Sequence, residues 1–83
     1  MIQLLQTDPL RERIISRYDE MSQQLQQAAR YILEHPQDVA LMSMRELARN
    51  AGVQPSTVTR LTKFLGLNSY DEIRTQHAQA LRV

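Results

Sequence analysis

The sequence predicts an all-α protein, a compact bundle of five to six helices that contains a helix-turn-helix. Gln, Ala, Leu, Arg and Glu dominate its 83 residues, which include only two glycines. Apolar residues recur every three or four positions, as on one face of a helix, and nowhere alternate over a useful stretch as they do in strands. Residues that commonly begin and end helices separate the segments. At this length we expect a single domain, residues 1–83.

The first helix is predicted to begin at Asp8-Pro9, where an N-cap residue precedes a proline in the first turn. Leu10, Ile14 and Tyr18 then recur every four residues. This spacing places the three side chains on one face of a helix, which we expect to pack against the rest of the bundle.

A second helix is predicted from about Ser22, with a regular apolar stripe. The stripe consists of Leu25, Ala28, Ala29, Ile32 and Leu33. His35-Pro36 ends this helix, because the residue before a proline is driven out of the α-helical conformation. One further helical turn is predicted within residues 36–42, with Val39 and Leu41 reaching the core.

Two short helices are predicted next, joined by a tight turn. Ser43 and Glu46 have the spacing of a capping box, which opens the first of them. Gly52 lies where a left-handed residue would stop that helix at little steric cost. Pro55 occupies the first turn of the second helix, predicted over residues 55–65, and Gly66 ends it.

A last helix is predicted after a second capping box. Ser69 and Glu72 have the required spacing. Its side chains at helical spacing are Tyr70, Ile73, His77 and Leu81. Asp71 and Glu72 then lie in the first turn, where negative charge is favoured by the helix dipole.

The two helices around Gly52 have the pattern of a helix-turn-helix. Ala48 is small enough for the second helix to cross closely over the first, and Val53 is expected to fix the turn in the core. Val58 and Leu61 anchor one face of the second helix and leave its other face free.

The free face of the second helix is polar and has no acidic residue. It comprises Gln54, Ser56, Thr57, Thr59, Arg60 and Lys63. Glutamine can hydrogen-bond adenine and arginine can hydrogen-bond guanine in the major groove, while hydroxyls at a helix N-terminus suit phosphate. The residues predicted to contact base edges are Gln54, Ser56, Thr59 and Arg60. Those predicted to contact phosphates are Thr57, Lys63, Arg45 and Arg49.

The distribution of charge agrees with a polyanionic partner at this segment. The formal net charge of the chain is only +1. Residues 43–66 nevertheless contain four basic side chains and one acidic one, whereas residues 1–42 contain four basic and six acidic. The positive charge is therefore concentrated at the predicted helix-turn-helix, which favours binding to nucleic acid there.

Other functional classes are disfavoured by the composition. The chain has no cysteine, which excludes a disulfide framework and a cysteine-ligated metal. His35 and His77 lie far apart in sequence without a close acidic partner, so we expect neither to bind a metal. The sequence has no Ser/His/Asp set, glycine-rich phosphate loop or HExxH motif, and a small helical bundle leaves little room for a pocket, so we expect no cofactor and no enzymatic activity. No apolar run approaches the roughly 20 residues that cross a bilayer, and the N-terminus lacks the pattern of a signal peptide. We expect a cytoplasmic protein.

Residues 29–74 resemble the N-terminal domain of the RpiR family of bacterial transcription regulators. The matching motifs are "YILEHP", "S-x-REL-A-x-x-AGV", "S-T-V-T-R", "K-x-LG" and "L-x-S-Y-x-E-I". The helices from about residue 5 also fit that family's opening. Two positions depart from the family pattern: Gln54 replaces a serine that caps the recognition helix, and Leu61 replaces a phenylalanine in the core.

The resemblance implies sequence-specific binding of double-stranded DNA, with the helix 55–65 in the major groove. It implies control of genes for sugar or sugar-phosphate metabolism, and a phosphosugar effector that acts through a sugar-isomerase-like domain absent from this chain. We therefore expect the chain to be the N-terminal part of a longer regulator. Helix-turn-helix proteins commonly dimerise, and we favour a homodimer or higher oligomer in the full-length protein. The alternative is a helical protein–protein interaction or dimerisation module, which would have apolar residues where positions 54–63 are polar.

Overall fold

The computed structural model describes residues 9–80, which form helices and connecting turns and, within that range, no strand. The helices are α1 (Pro9–Arg17), α2 (Gln23–Glu34), α3 (Pro36–Val39), α4 (Met44–Ala51), α5 (Pro55–Phe64) and α6 (Tyr70–Ala80), with a 3₁₀ turn at Tyr18–Glu20. The all-α prediction is confirmed. The predicted N-cap Asp8 and the apolar Leu81 lie outside the described residues.

One apolar core is built from all six helices. Its largest fully buried apolar side chains are Leu10, Ile14, Ile32, Val39, Leu47, Val58, Leu61, Leu65 and Ile73. Alanines on α2 and α4 are also buried, and their small side chains allow these helices to approach α5 closely. The predicted apolar faces of α1 and α2 therefore point inward, with Tyr18, Leu25 and Leu33 partly buried at the margin of the core.

Local signals in the sequence define both ends of α2. The hydroxyl of Ser22 accepts a hydrogen bond from the backbone N–H of Leu25 at 3.2 Å, as expected of an N-cap. His35 ends the helix, and Pro36 begins α3 immediately after it. The predicted start and end of this helix are confirmed.

One residue predicted in the core, Leu41, lies on the surface instead. Val39 is fully buried as expected, but 85% of Leu41 is exposed. Helix α3 ends at Val39, and the N–H of Leu41 donates to the carbonyl of Asp38 in the turn that follows. The partly buried Met42, one position later, packs against the core. The turn therefore directs Leu41 outward.

The capping box of α4 is confirmed in both halves. The hydroxyl of Ser43 accepts the backbone N–H of Glu46 at 3.2 Å. In return, the carboxylate of Glu46 accepts the backbone N–H of Ser43 at 2.9 Å. Two of the N–H groups that a helix leaves unpaired at its start are thus satisfied by local side chains.

The predicted capping box of α6 is replaced by a different arrangement. The carboxylate of Glu72 accepts the backbone N–H of Asn68 at 3.1 Å, one residue before the predicted partner Ser69. A long-range bond also anchors this helix, because the hydroxyl of Tyr70 donates to the carbonyl of Met42 at 2.9 Å. Burial raises the pKa of Tyr70 from 10.0 to about 12. The start of α6 is therefore fixed partly by the segment between α3 and α4.

Candidate nucleic-acid interface

Helices α4 and α5 form the predicted helix-turn-helix around Gly52. Gly52 has φ 78° in the left-handed region, where glycine avoids the steric cost that other residues meet. The N–H of Val53 returns to the carbonyl of Ala48 at 3.0 Å, which closes the end of α4. Ala48 and Val58 are buried at the packing of the two helices, as predicted.

The opposite face of α5 is exposed and polar. Gln54, at the N-cap position, and Ser56, Thr59, Arg60 and Lys63 are all exposed. Spaced three and four apart, the last four occupy neighbouring turns of one helix face. The structure therefore brings most of the predicted α5 contacts together on one surface, which we call the α5 outer face.

Thr57 is the exception, because its side chain is buried and only 1% exposed. It shares the inner face of α5 with Val58 and Leu61, which pack into the core. Its hydroxyl accepts a hydrogen bond of 3.4 Å from the guanidinium of Arg60. This placement corrects the predicted phosphate contact of Thr57 and gives the residue a supporting position behind Arg60.

Thr59 is exposed but already has local hydrogen bonds. Its hydroxyl lies 3.4 Å from the carbonyl of Pro55 and 3.4 Å from the sulfur of Met44 on α4. The distance to the carbonyl is long for a hydroxyl bond and a thioether sulfur is a weak acceptor, so the group can turn toward a better acceptor at small cost.

Two arginines of α4 lie beside the start of α5. Arg45 and Arg49 are one helical turn apart and both exposed. With Ala48, Val53 and Pro55 they line a shallow cleft of about 230 Å³. The two arginines therefore lie beside the N-terminal end of the α5 outer face.

The cations of this surface have no acidic partners among residues 9–80. The ion pairs of that range join Arg17 to Glu20, His35 to Asp38 and Arg74 to Asp71. The first turn of α5 contains no acidic residue and its last turn contains Lys63. The surface therefore carries uncompensated positive charge, which attracts a polyanion.

Gln54 leaves the start of α5 without a side-chain cap. Its backbone has the extended conformation of an N-cap residue, but its side chain makes no capping hydrogen bond. A glutamine side chain is not among those that commonly cap a helix, unlike serine. The exposed amide of Gln54 is consequently available to an external partner.

Three residues far away in sequence support this unit and were missed by sequence reasoning. The Gln27 amide on α2 donates to the carbonyls of Ala51 at 2.8 Å and Gly52 at 3.2 Å. Arg13 and Arg17 on α1 donate to carbonyls at the end of α5. These contacts span 24 to 52 residues of sequence, and no local pattern indicates them.

The described part of the chain contains no group of three or more His, Asp or Glu side chains that could hold a metal ion. His77 is buried, and its Nδ1 lies 2.8 Å from the carbonyl of Ile73, within its own helix. No helix among residues 9–80 has the length and apolar character needed to cross a membrane.

Comparison with known protein families agrees with this geometry. A family model described as "Helix-turn-helix domain, rpiR family" matches residues 9–82, which is most of the chain. No curated protein and no solved structure matches the chain significantly. The family match confirms the resemblance drawn from the sequence motifs. The chain belongs to the rpiR family of helix-turn-helix domains.

Proposed function

We propose that this DNA-binding domain of an RpiR-type regulator recognises a specific duplex sequence by inserting α5 into the major groove. The observation that carries the proposal is the α5 outer face, which is exposed, free of acidic residues and flanked by unpaired arginines of α4. An α-helix fits the major groove, where base edges display distinct patterns of hydrogen-bond donors and acceptors.

The geometry supports separate roles for the exposed residues. Base contacts are assigned to Gln54, Ser56, Thr59 and Arg60. Phosphate contacts are assigned to Arg45, Arg49 and Lys63. The first group lies near the start of α5 or along its exposed side, whereas the second lies on α4 and at the C-terminal end of α5. Phosphate contacts set the position of the helix, and base contacts supply the specificity.

Family membership supports a proposal for the wider regulatory role. The proposed targets are genes of sugar or sugar-phosphate metabolism. The domain is proposed to be the N-terminal part of a longer cytoplasmic regulator, whose sugar-isomerase-like domain binds a phosphosugar. A homodimer would present two copies of α5 to half-sites one DNA turn apart.

The alternative of a protein-interaction module has less support. The described chain exposes two large apolar side chains, Ile15 at 52% and Leu41 at 85%. Neither belongs to α5, whose exposed side is polar throughout. A docking groove at residues 54–63 would instead require apolar side chains there.

The proposal is tested by selecting duplexes from a random pool with the parent chain and then measuring the affinity of variants. Arg60→Ala is expected to cost about 1–3 kcal/mol on the selected site and to relax preference at one base position. Lys63→Ala is expected to weaken binding evenly across sequences and to lower the salt slope by about one.

Arg74→Ala is the matched control, because it removes the same charge from α6, where Arg74 pairs with Asp71. It should leave the affinity and the salt slope near those of the parent. If Arg60→Ala and Lys63→Ala both bind like the parent throughout the salt titration, α5 is not the recognition helix.

A further inference from the structure

The side chains of two arginines of α1 reach the C-terminal end of α5. The guanidinium of Arg13 donates to the carbonyl of Leu65 at 2.7 Å, and that of Arg17 donates to the carbonyl of Phe64. Both contacts are partly buried and join residues about fifty positions apart. The first described helix is therefore tied directly to the helix proposed to read DNA.

Part of the end of α5 is closed by its own backbone. Gly66 has φ 82°, and its N–H donates to the carbonyl of Lys63 at 2.9 Å. The N–H of Leu67 donates to the carbonyl of Thr62 at 3.0 Å. This pair of bonds is the Schellman arrangement, which satisfies two of the four carbonyls that a helix leaves unpaired at its C-terminus.

The other two terminal carbonyls are those that the arginines contact. Phe64 and Leu65 follow the two residues paired by the turn, and their carbonyl oxygens accept from Arg17 and Arg13. Thus each of the four carbonyls from Thr62 to the C-cap residue Leu65 has a hydrogen-bond donor. The two arginines therefore donate to the two carbonyls that the backbone turn leaves without a donor.

Arg17 is held at this place by two more contacts. Its guanidinium carbon lies 4.0 Å from the centre of the Phe64 ring, in a cation–π arrangement. A second nitrogen lies 3.4 Å from the carboxylate of Glu20. Bonding, stacking and ion pairing together fix the guanidinium relative to the last turn of α5.

Charge favours the same arrangement. The C-terminal end of a helix carries partial negative charge, so two guanidinium groups there are stabilising. Arg11, on the same helix α1, instead donates to the carbonyl of Leu33 on α2 at 3.1 Å. Only two of these three arginines therefore contact α5.

We infer that Arg13 and Arg17 are positioning residues that hold the C-terminal end of α5 and thereby set its angle in the major groove. This inference rests on the proposed function. It assigns to α1 a part in DNA recognition that requires no contact between these arginines and DNA. Base contacts need a helix held close to one orientation, so loss of the two bonds should weaken specific binding.

The test compares Arg17→Ala and Arg13→Ala with Arg11→Ala, on the duplex selected with the parent chain. The first two variants should bind about ten-fold more weakly, the loss expected when a less firmly held α5 gives up roughly one base contact. Their salt slopes should equal that of the parent, because no phosphate contact is lost. Arg11→Ala removes the same charge from the same helix and should bind like the parent.

Two further measurements separate positioning from general stability. Arg17→Lys keeps the charge and a donor, and should recover most of the affinity that Arg17→Ala loses. Amide exchange of Gly66 and Leu67 should quicken in Arg17→Ala and not in Arg11→Ala, because only the former frees the end of α5. If Arg17→Ala does not fold, Arg13→Ala and Arg17→Lys supply the comparison.

The inference is overturned if Arg13→Ala and Arg17→Ala bind like the parent, or if Arg11→Ala weakens binding equally. A salt slope lowered by about one would instead show that these arginines contact phosphates directly. A parent chain that selects no duplex contradicts the proposed function. In that case, unchanged amide exchange at Gly66 and Leu67 in Arg17→Ala would separately show that Arg17 does not hold the end of α5.

Discussion

Gly52 is constrained both by its backbone and by a neighbouring side chain. Its φ of 78° is strained for any residue with a Cβ, and a Cβ built there would lie 2.9 Å from Nε2 of Gln27. The same nitrogen donates to the carbonyls of Ala51 and Gly52. The turn between α4 and α5 therefore has no room for a side chain without displacing the amide that holds it.

Gly52→Ala is expected to lower the free energy of unfolding by more than the roughly 1–2 kcal/mol that the left-handed conformation alone costs. Urea unfolding would measure the loss. Gly66→Ala is the matched control, because Gly66 has nearly the same φ of 82° but its nearest neighbour, Nη1 of Arg13, is 3.9 Å away. Equal losses in the two variants would show that Gln27 does not contribute to the constraint.

Predictions from the sequence succeeded for single residues whose role depends on close neighbours. Gly52 and the Ser43 cap were predicted from spacings of a few positions, and the structure confirms both. Thr57 was misplaced because hydroxyl chemistry alone does not say which side of α5 packs inward. Leu61, four positions later on the same helix face, is buried, and Thr57 is buried with it.

At the scale of elements, α6 is joined to the rest of the bundle through Tyr70. Its hydroxyl donates to the carbonyl of Met42, in the segment between α3 and α4. Burial favours the neutral phenol, so the pKa of Tyr70 rises to about 12. The folded state consequently holds this proton more tightly than the unfolded state does.

Tyr70 is expected to make the free energy of unfolding fall at alkaline pH. Its contribution is complete below pH 10, where the phenol is neutral in both states, and is lost as the pH rises from 10 toward 12. Tyr70→Phe should lower stability by about 0.5–1.5 kcal/mol at neutral pH through loss of one hydrogen bond. Urea unfolding at a series of pH values should show the two proteins converging above pH 10, and a constant difference would contradict this.

Helix ends set by neighbouring residues were predictable, and those set by distant ones were not. The start of α2 at Ser22 and its end at His35 depend on nearby residues and were predicted. Leu41 was assigned to the core by its apolar character, but the turn after α3 exposes it. Glu72 accepts from the backbone N–H of Asn68, four positions earlier, although the capping-box spacing of three pointed to Ser69.

At the scale of the whole molecule, the helix-turn-helix carries a group of basic side chains that make no ion pair within residues 9–80, namely Arg45, Arg49, Arg60 and Lys63. The contacts that hold this unit come from α1 and α2, through Arg13, Arg17 and Gln27. The sequence indicated the location of the interface because its chemistry is local to residues 45–63. It did not indicate the supporting bonds, which depend on how the helices pack in three dimensions.

The proposed homodimer has a direct test in solution. The chain should sediment as a dimer at concentrations well above those at which it binds the selected duplex. On DNA, the selected sites should contain two related halves about 10 base pairs apart, centre to centre. A monomer at these concentrations that selects a single unrepeated site would contradict dimeric recognition by this chain.

The bond from Gln27 to the helix-turn-helix turn also constrains how the sequence can change over evolution. Any side chain acquired at position 52 meets the amide of Gln27, so its tolerance depends on what occupies position 27. Shortening Gln27 would make space but would release the carbonyls of Ala51 and Gly52. Positions 27 and 52 should therefore vary together among homologues, even though one lies on α2 and the other in the turn after α4, and neither is assigned a contact with DNA.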